Sequence, residues 1–178
     1  MRKRAGQEET RHVSNAALHF YALPNIAISV VHLPTAVYVT GFYSQNLGLS
    51  LGAIGLVILL SRITDVFTDP VVGILSDKGR SPWGRRKPWI LAGIPLMVLT
   101  VWLLFAPPPA VFGAGQAWGL AYLAVVLVLY YLSNTLVDLP YKAWGADLSP
   151  DYRERSLVTG FREGYGFLGL ILVLAIPV

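Results

Sequence analysis

The stretch SRITDVFTDP, residues 61–70, decides how the chain must fold. It sits inside a long apolar segment, yet it carries three ionisable side chains: Arg62, Asp65 and Asp69. Their spacing places all three on one face of a helix. The surrounding segment, roughly Ser50 to Ser76, is long enough to cross a bilayer, which takes ~20 mostly apolar residues. Three charges near the centre of such a helix cost roughly 9 kcal/mol on the insertion scale. The apolar side chains between Leu51 and Leu75 return roughly 4–8 kcal/mol. The helix is marginal alone, and its charged face is expected to look into a helix bundle or a wet cavity.

The rest of the composition agrees with a membrane setting. Of 178 residues, 54% are hydrophobic and 13% are charged, and the mean hydropathy is +0.56. A soluble domain is about a quarter charged. The formal charge of +4 is no sign of nucleic-acid binding, because the basic residues cluster at the ends of apolar segments, where they act as topology signals. Cysteine is absent, which excludes disulfides and thiolate metal sites. The basic start MRKRAGQEETRH is followed by no short apolar stretch with a small-residue cleavage site, so it does not read as a signal peptide.

In order, the chain reads as a polar cytoplasmic tail (1–15) and a partial N-terminal transmembrane bundle (16–178). Five spans are predicted, over roughly 16–43, 50–76, 88–106, 117–144 and 156–178. Pro24 and Pro34 should kink the first span or free carbonyls in it. His19 and His32, also on that span, read as hydrogen-bonders in helix packing. The fold class expected is an all-α membrane protein. Ser149 is the expected N-cap of the fifth span, with Pro150 at the first helical position and Asp151 in the first turn. Gly48, Gly52 and Gly55, and the pair Gly160 and Gly164 with Gly166 and Gly169 beyond, are small residues that permit close helix approach.

Depth places further charges beside the opening stretch. At ~1.5 Å per helical residue, Asp69, Asp138 and Arg162 each lie ~12 Å from the charged end of their spans. Arg62, Asp65, Asp69, Asp138 and Arg162 therefore share a level near the midplane. Asp138 and Arg162 are expected to be partners, and Lys142 either pairs with Asp138 one turn away or snorkels to the surface. The net negative charge of this group favours a cation site with an internal ion-pair network. Pro70 frees the Val66 carbonyl as a further oxygen ligand or simply kinks the helix. No H-E-x-x-H, G-x-S-x-G or P-loop occurs, so nothing here suggests an enzyme or a bound cofactor other than a coupling ion.

The run from Arg62 through Asp65, Asp69, Pro70 and Gly73 to Arg80, Ser81, Trp83, Gly84 and Lys87-Pro-Trp-Ile90 resembles the glycoside–pentoside–hexuronide:cation symporters. These form the melibiose-carrier-like branch of the major facilitator superfamily. Leu139-Pro140 after Asp138, Arg153-Glu-Arg155 and Arg162 continue the match in order. The resemblance implies that Asp65 and Asp69 bind the coupling cation, Na⁺ if the carrier is sodium-coupled and otherwise H⁺, with Thr135 as an added ligand. It implies that Asp138 and Arg162 contact solute. Two positions depart from the pattern: Ser29 stands where melibiose-type carriers have a helix-one aspartate, and Lys142 stands where they have an aromatic. Gly73 to Arg86 resembles the superfamily loop between helices two and three, with Asp77, Arg80, Arg85 and Arg86 as its charged members.

The function implied is cation-coupled symport of a sugar or glycoside across the plasma (inner) membrane. The partners expected are that small-molecule solute, a monovalent cation and the lipid bilayer, with no nucleic acid. The family has two six-helix halves, so the chain is expected to be an N-terminal portion completed by a C-terminal half or by self-association. Two alternatives stand beside this reading: a symporter of a non-sugar solute such as a lysolipid, and a non-transporting membrane scaffold.

The Lys/Arg-rich segments (1–15, 77–88 and 145–155) alternate with uncharged links at 44–50 and 107–116, which puts the N-terminus in the cytoplasm. Single cysteines introduced into this cysteine-free chain test that topology. Position 80 should resist an impermeant thiol reagent added to intact cells and react after lysis; labelling from outside would reverse the topology.

Overall fold

The computed structural model of the chain describes residues 13–79, 81–111, 113, 115–149 and 151–175. Arg80, Pro150, the tail through residue 12 and residues 176–178 lie outside them. The described residues are helical, in the order α1 (Asn15–Ala22), α2 (Pro24–Leu47), α3 (Leu51–Ile63), α4 (Asp65–Lys78), α5 (Lys87–Phe105), α6 (Gln116–Asp147) and α7 (Tyr152–Leu174), with a short 3-10 turn at Pro109–Val111. α1 with α2, and α3 with α4, run on as single bilayer-length rods, so five helical segments are long and apolar enough to cross a membrane. Two compact units result: residues up to Ser29 with those from Gly145 onward, and Val30–Trp144.

In the first unit α1 packs on α7. Ser14 caps α1 by accepting from the Ala17 amide at 3.3 Å. The helix gives way at Leu23 because Pro24 has no N–H to continue the ladder, and α2 restarts on that proline. Close approach is made by Gly166 and Gly169. A Cβ on Gly169 would lie 2.6 Å from the Ile26 carbonyl oxygen, and one on Gly166 would lie 2.7 Å from the Asn25 amide nitrogen. Gly160 and Gly164, the G-x-x-x-G pair of the sequence, have nothing within 4 Å of the same position. Gly52 and Gly55 on α3 are equally open. The expected packing motif is thus displaced by one to two turns along α7. The cap of α7 also differs from expectation. Asp151 is the N-cap, accepting from the Arg153 amide at 2.8 Å. Ser149, buried just before it, accepts from the Asp151 amide at 3.1 Å and donates to Glu154. The carboxylate displaces the hydroxyl because an anion also suits the positive end of the helix.

In the second unit an apolar core of Val39, Tyr43, Leu49, Ile54, Leu104 and Leu123 closes the end that carries the uncharged links. Gly48 makes the first of these turns with φ +64, a left-handed conformation that suits glycine. Ser50 then caps α3. Tyr122 donates to the Leu103 carbonyl at 2.7 Å, and a Cβ on Gly93 would meet Val137 at 2.7 Å, so α5 and α6 lie in close contact. At its other end the core reaches Tyr130, with Tyr131 packed against it, beside the charged stretch.

The glycine geometry yields a paired prediction. Gly169→Ala should destabilise the protein by about 1–3 kcal/mol, because the new methyl meets backbone rather than a movable side chain. Gly160→Ala should stabilise it by up to about 1 kcal/mol through helix propensity. Thermal unfolding of both variants in one detergent gives the comparison, and equal melting temperatures would contradict the packing described here.

Candidate functional site

The rod that carries SRITDVFTDP is broken within that stretch. α3 ends at Ile63 and α4 begins at Asp65, so Arg62 and the two acids sit on different helices. The Thr64 hydroxyl donates to the Ser61 carbonyl at 2.6 Å across the break. α4 then carries Asp65 and Asp69 one turn apart, with Pro70 inside the helix. On α6, Thr135 is buried and donates its hydroxyl to Asp69 Oδ1 at 2.8 Å. One turn away, a buried oxygen of Asp65 has no hydrogen-bond partner, and neither has the Thr68 hydroxyl. Asp65, Asp69 and Thr135 are therefore gathered between α4 and α6 as oxygen donors.

Within the second unit, the ion pairs expected between Arg62 and these acids are not made among the described residues. The Arg62 guanidinium lies over the Tyr131 ring, 5.1 Å from its centroid, in a cation–π contact. Thr64, between Arg62 and Asp65, keeps helical dihedrals, φ -61 and ψ -29, and Arg62 and Asp65 border one cavity. The other charges find partners nearby. Asp138 pairs with Lys142 one turn on along α6, and Arg162 pairs with its neighbour Glu163. At the loop after α4, Asp77 accepts from Arg86 at 2.9 Å, and Arg85 is exposed.

Ser29 lies in the first unit against α7, where its hydroxyl would be 3.1 Å from a Cβ on Gly166. Nearby, Asn25 donates to the Arg162 carbonyl at 2.7 Å. His19 bonds the Tyr165 hydroxyl at 2.6 Å, a packing contact between α1 and α7.

One polar cavity, about 140 Å³ in volume, opens within the second unit and is lined by His32, Thr35, Arg62, Asp65, Tyr131 and Asn134, among others. His32 Nε2 and Asn134 Oδ1 lie 2.7 Å apart and join α2 to α6. Asn134 went unnoticed in the sequence. The available signal was its place beside Thr135 and one turn before Asp138, on a helix otherwise apolar at that depth. Among the described residues no group of three or more His, Cys, Asp or Glu side chains is gathered as for a transition metal. Two carboxylates and hydroxyl oxygens suit a hard cation instead.

Residues 20–178 match the family model for MFS/sugar transport proteins. An uncharacterized symporter of Synechocystis is 36% identical over 77% of this chain and 26% of its own length. A putative glycoside/cation symporter of Escherichia coli is 32% identical over 80% of this chain and 30% of its own. The human sodium-dependent lysophosphatidylcholine symporter 1 is 33% identical over 68% of this chain and 22% of its own. The chain thus spans under a third of the length of each of these relatives. Its five bilayer-length helices make it an integral membrane protein, and with the match over nearly all its residues the chain belongs to the MFS/sugar transport protein family.

Proposed function

We propose that this chain carries the cation site, and part of the solute site, of a cation-coupled secondary symporter of sugars or glycosides in the plasma membrane, with its N-terminus in the cytoplasm. One observation carries the reading. Asp77, Asp138 and Glu163 each have a basic partner. Asp65 and Asp69, within the bilayer-length rod Leu51–Lys78, make no salt bridge among the described residues. Two carboxylates a turn apart in a bilayer are expensive unless neutralised. A bound Na⁺, or a proton, supplies that charge, and Thr135 holds Asp69 in place to receive it.

Coupling follows from where the ligands come from. A cation shared by Asp65 and Asp69 on α4 and Thr135 on α6 ties two helices that both border the polar cavity. Fixing them raises the affinity for a solute held there, and by linkage the solute raises the affinity for the cation equally. Asp138, Lys142, Arg162 and Ser29 are the further polar groups assigned to the solute. Transport itself needs a second set of helices against which this one can rock. The likeness to the human lysophosphatidylcholine symporter favours a lysolipid as the second reading. It would use the same cation site.

In the full-length protein, Asp69→Asn should abolish the dependence of solute binding on Na⁺ or pH. Thr135→Ala should weaken the cation by about tenfold, the worth of one charge-assisted hydrogen bond. Thr135→Ser should restore it. Titration of solute binding against Na⁺ and against pH measures all three, and an unchanged cation dependence in Asp69→Asn would remove Asp69 from the site.

A further inference from the structure

The cavity beside the cation site has a wall that neither the resemblance nor the charge pattern assigns. His32 comes from α2, and Asn134 comes from α6 immediately before the cation-site Thr135. Both are half-buried, and both line the same cavity as Asp65. The His32 ring meets the buried Tyr130 edge-on, with centroids 6.3 Å apart, which limits its rotation.

Their 2.7 Å contact has the same chemical consequence for either tautomer of the imidazole. If the Asn134 carbonyl accepts from His32 Nε2–H, then His32 Nδ1 is left as an acceptor and the Asn134 amide N–H as a donor. If the amide is turned over and donates instead, His32 Nδ1–H is the donor left and the Asn134 carbonyl the acceptor. Either way the pair offers at least one donor and one acceptor. A hydroxyl group both donates and accepts, so a hydroxyl, or two on neighbouring carbons, is the complementary ligand. An acyl chain satisfies neither group, and burying both unmet would cost binding energy. The cavity walls are polar except for the Tyr130 and Tyr131 rings and Ala36, and apolar C–H faces of a sugar ring pack well on such aromatic surfaces.

We infer that His32 and Asn134 form a donor–acceptor dyad that reads a hydroxyl of a sugar-class solute next to the cation site. This rests on the symport reading above and narrows it to a polyhydroxylated solute. It also gives α2 a polar contact three residues beyond Ser29, whose own hydroxyl is set against the glycines of α7. Because Asn134 and Thr135 are consecutive, a cation that draws on Thr135 also fixes the backbone that presents the dyad.

The test is equilibrium binding to the full-length protein in nanodiscs containing NaCl. The probes are para-nitrophenyl pyranosides of galactose, glucose and xylose, the monodeoxy series of whichever binds, and lysophosphatidylcholine. Radiolabelled sodium binding is measured on the same samples. His32→Gln keeps a nitrogen near the ε position for Asn134 and removes the atom left for the solute. It should weaken the bound glycoside by about tenfold. Asn134→Leu should do the same, and the double variant should be little weaker than either single one, because the two residues act as a pair. One deoxy glycoside should bind wild type as weakly as the parent binds His32→Gln, and should be insensitive to that substitution. This selective response separates contact with a hydroxyl from a merely structural role, and the deoxy series on wild type decides the matter if the variants fail to fold. Full glycoside affinity in both single variants, or an equal loss for every deoxy analogue, would overturn the dyad. So would binding of lysophosphatidylcholine without any glycoside, which leaves the symport reading standing. Sodium binding with no solute of either class would instead defeat the symport reading, and this inference with it.

Discussion

A carboxylate inside a bilayer must be neutralised, and that requirement organises the second unit. Asp65 and Asp69 lie on α4 where the surrounding residues are Val66, Phe67, Val71 and Val72. The protein answers with hydroxyls and not with basic side chains: Thr135 bonds Asp69, and Thr68 stands unpartnered one residue before it. A hydroxyl orients a carboxylate without cancelling its charge. Lysine or arginine in the same place would cancel it permanently and leave nothing for a mobile cation to do. The distinction between a salt bridge and a site is therefore visible in the partner chosen.

Neighbouring charges show the contrast. Asp138 with Lys142, Arg162 with Glu163, and Asp77 with Arg86 are local pairs separated by four, one and nine residues. Such pairs need no distant helix to be satisfied and are cheap to form wherever the backbone is already helical. Asp69 of α4 takes its hydrogen bond from α6, across a sequence separation of 66 residues, while an oxygen of Asp65 is left without one. Long-range contact costs more chain entropy than local contact, and here it falls at the proposed cation site. Arg62, the nearest base, lies over the face of Tyr131 and makes no salt bridge with either acid among the described residues.

Much of this was legible in the sequence, and the exceptions have physical causes. Helix length and the period of apolar residues were enough to find membrane-spanning segments, because a bilayer admits few alternatives for the backbone. Asp65 and Asp69 stood out for the same reason: charge in an apolar run is conspicuous. Neutral polar groups are not. Asn134 costs far less to bury than an aspartate and leaves no such mark, and His32 looked like a packing residue, which it is in part. Spacing put Arg62, Asp65 and Asp69 together, but it could not show that Arg62 takes the Tyr131 ring and not a carboxylate. The glycine pattern held for Gly166 and Gly169 but not for Gly160 and Gly164, because spacing along one helix says which residues share a face, and only the neighbouring backbone says which face is used.

The nearest base bears directly on the proposed cation site. Arg62 precedes the two acids by three and seven residues, spacings at which a flexible guanidinium can close on a carboxylate. That pair would be stable in the bilayer and inert to cations. Among the described residues no such pair forms: the Thr64 hydroxyl takes up the Ser61 carbonyl, and the Arg62 guanidinium lies over the Tyr131 ring. Arg62 and Asp65 both line the polar cavity. On the proposed reading, a cation entering there would meet carboxylates that no salt bridge has closed, and the stacking of Arg62 on Tyr131 is what leaves them open to exchange with ions.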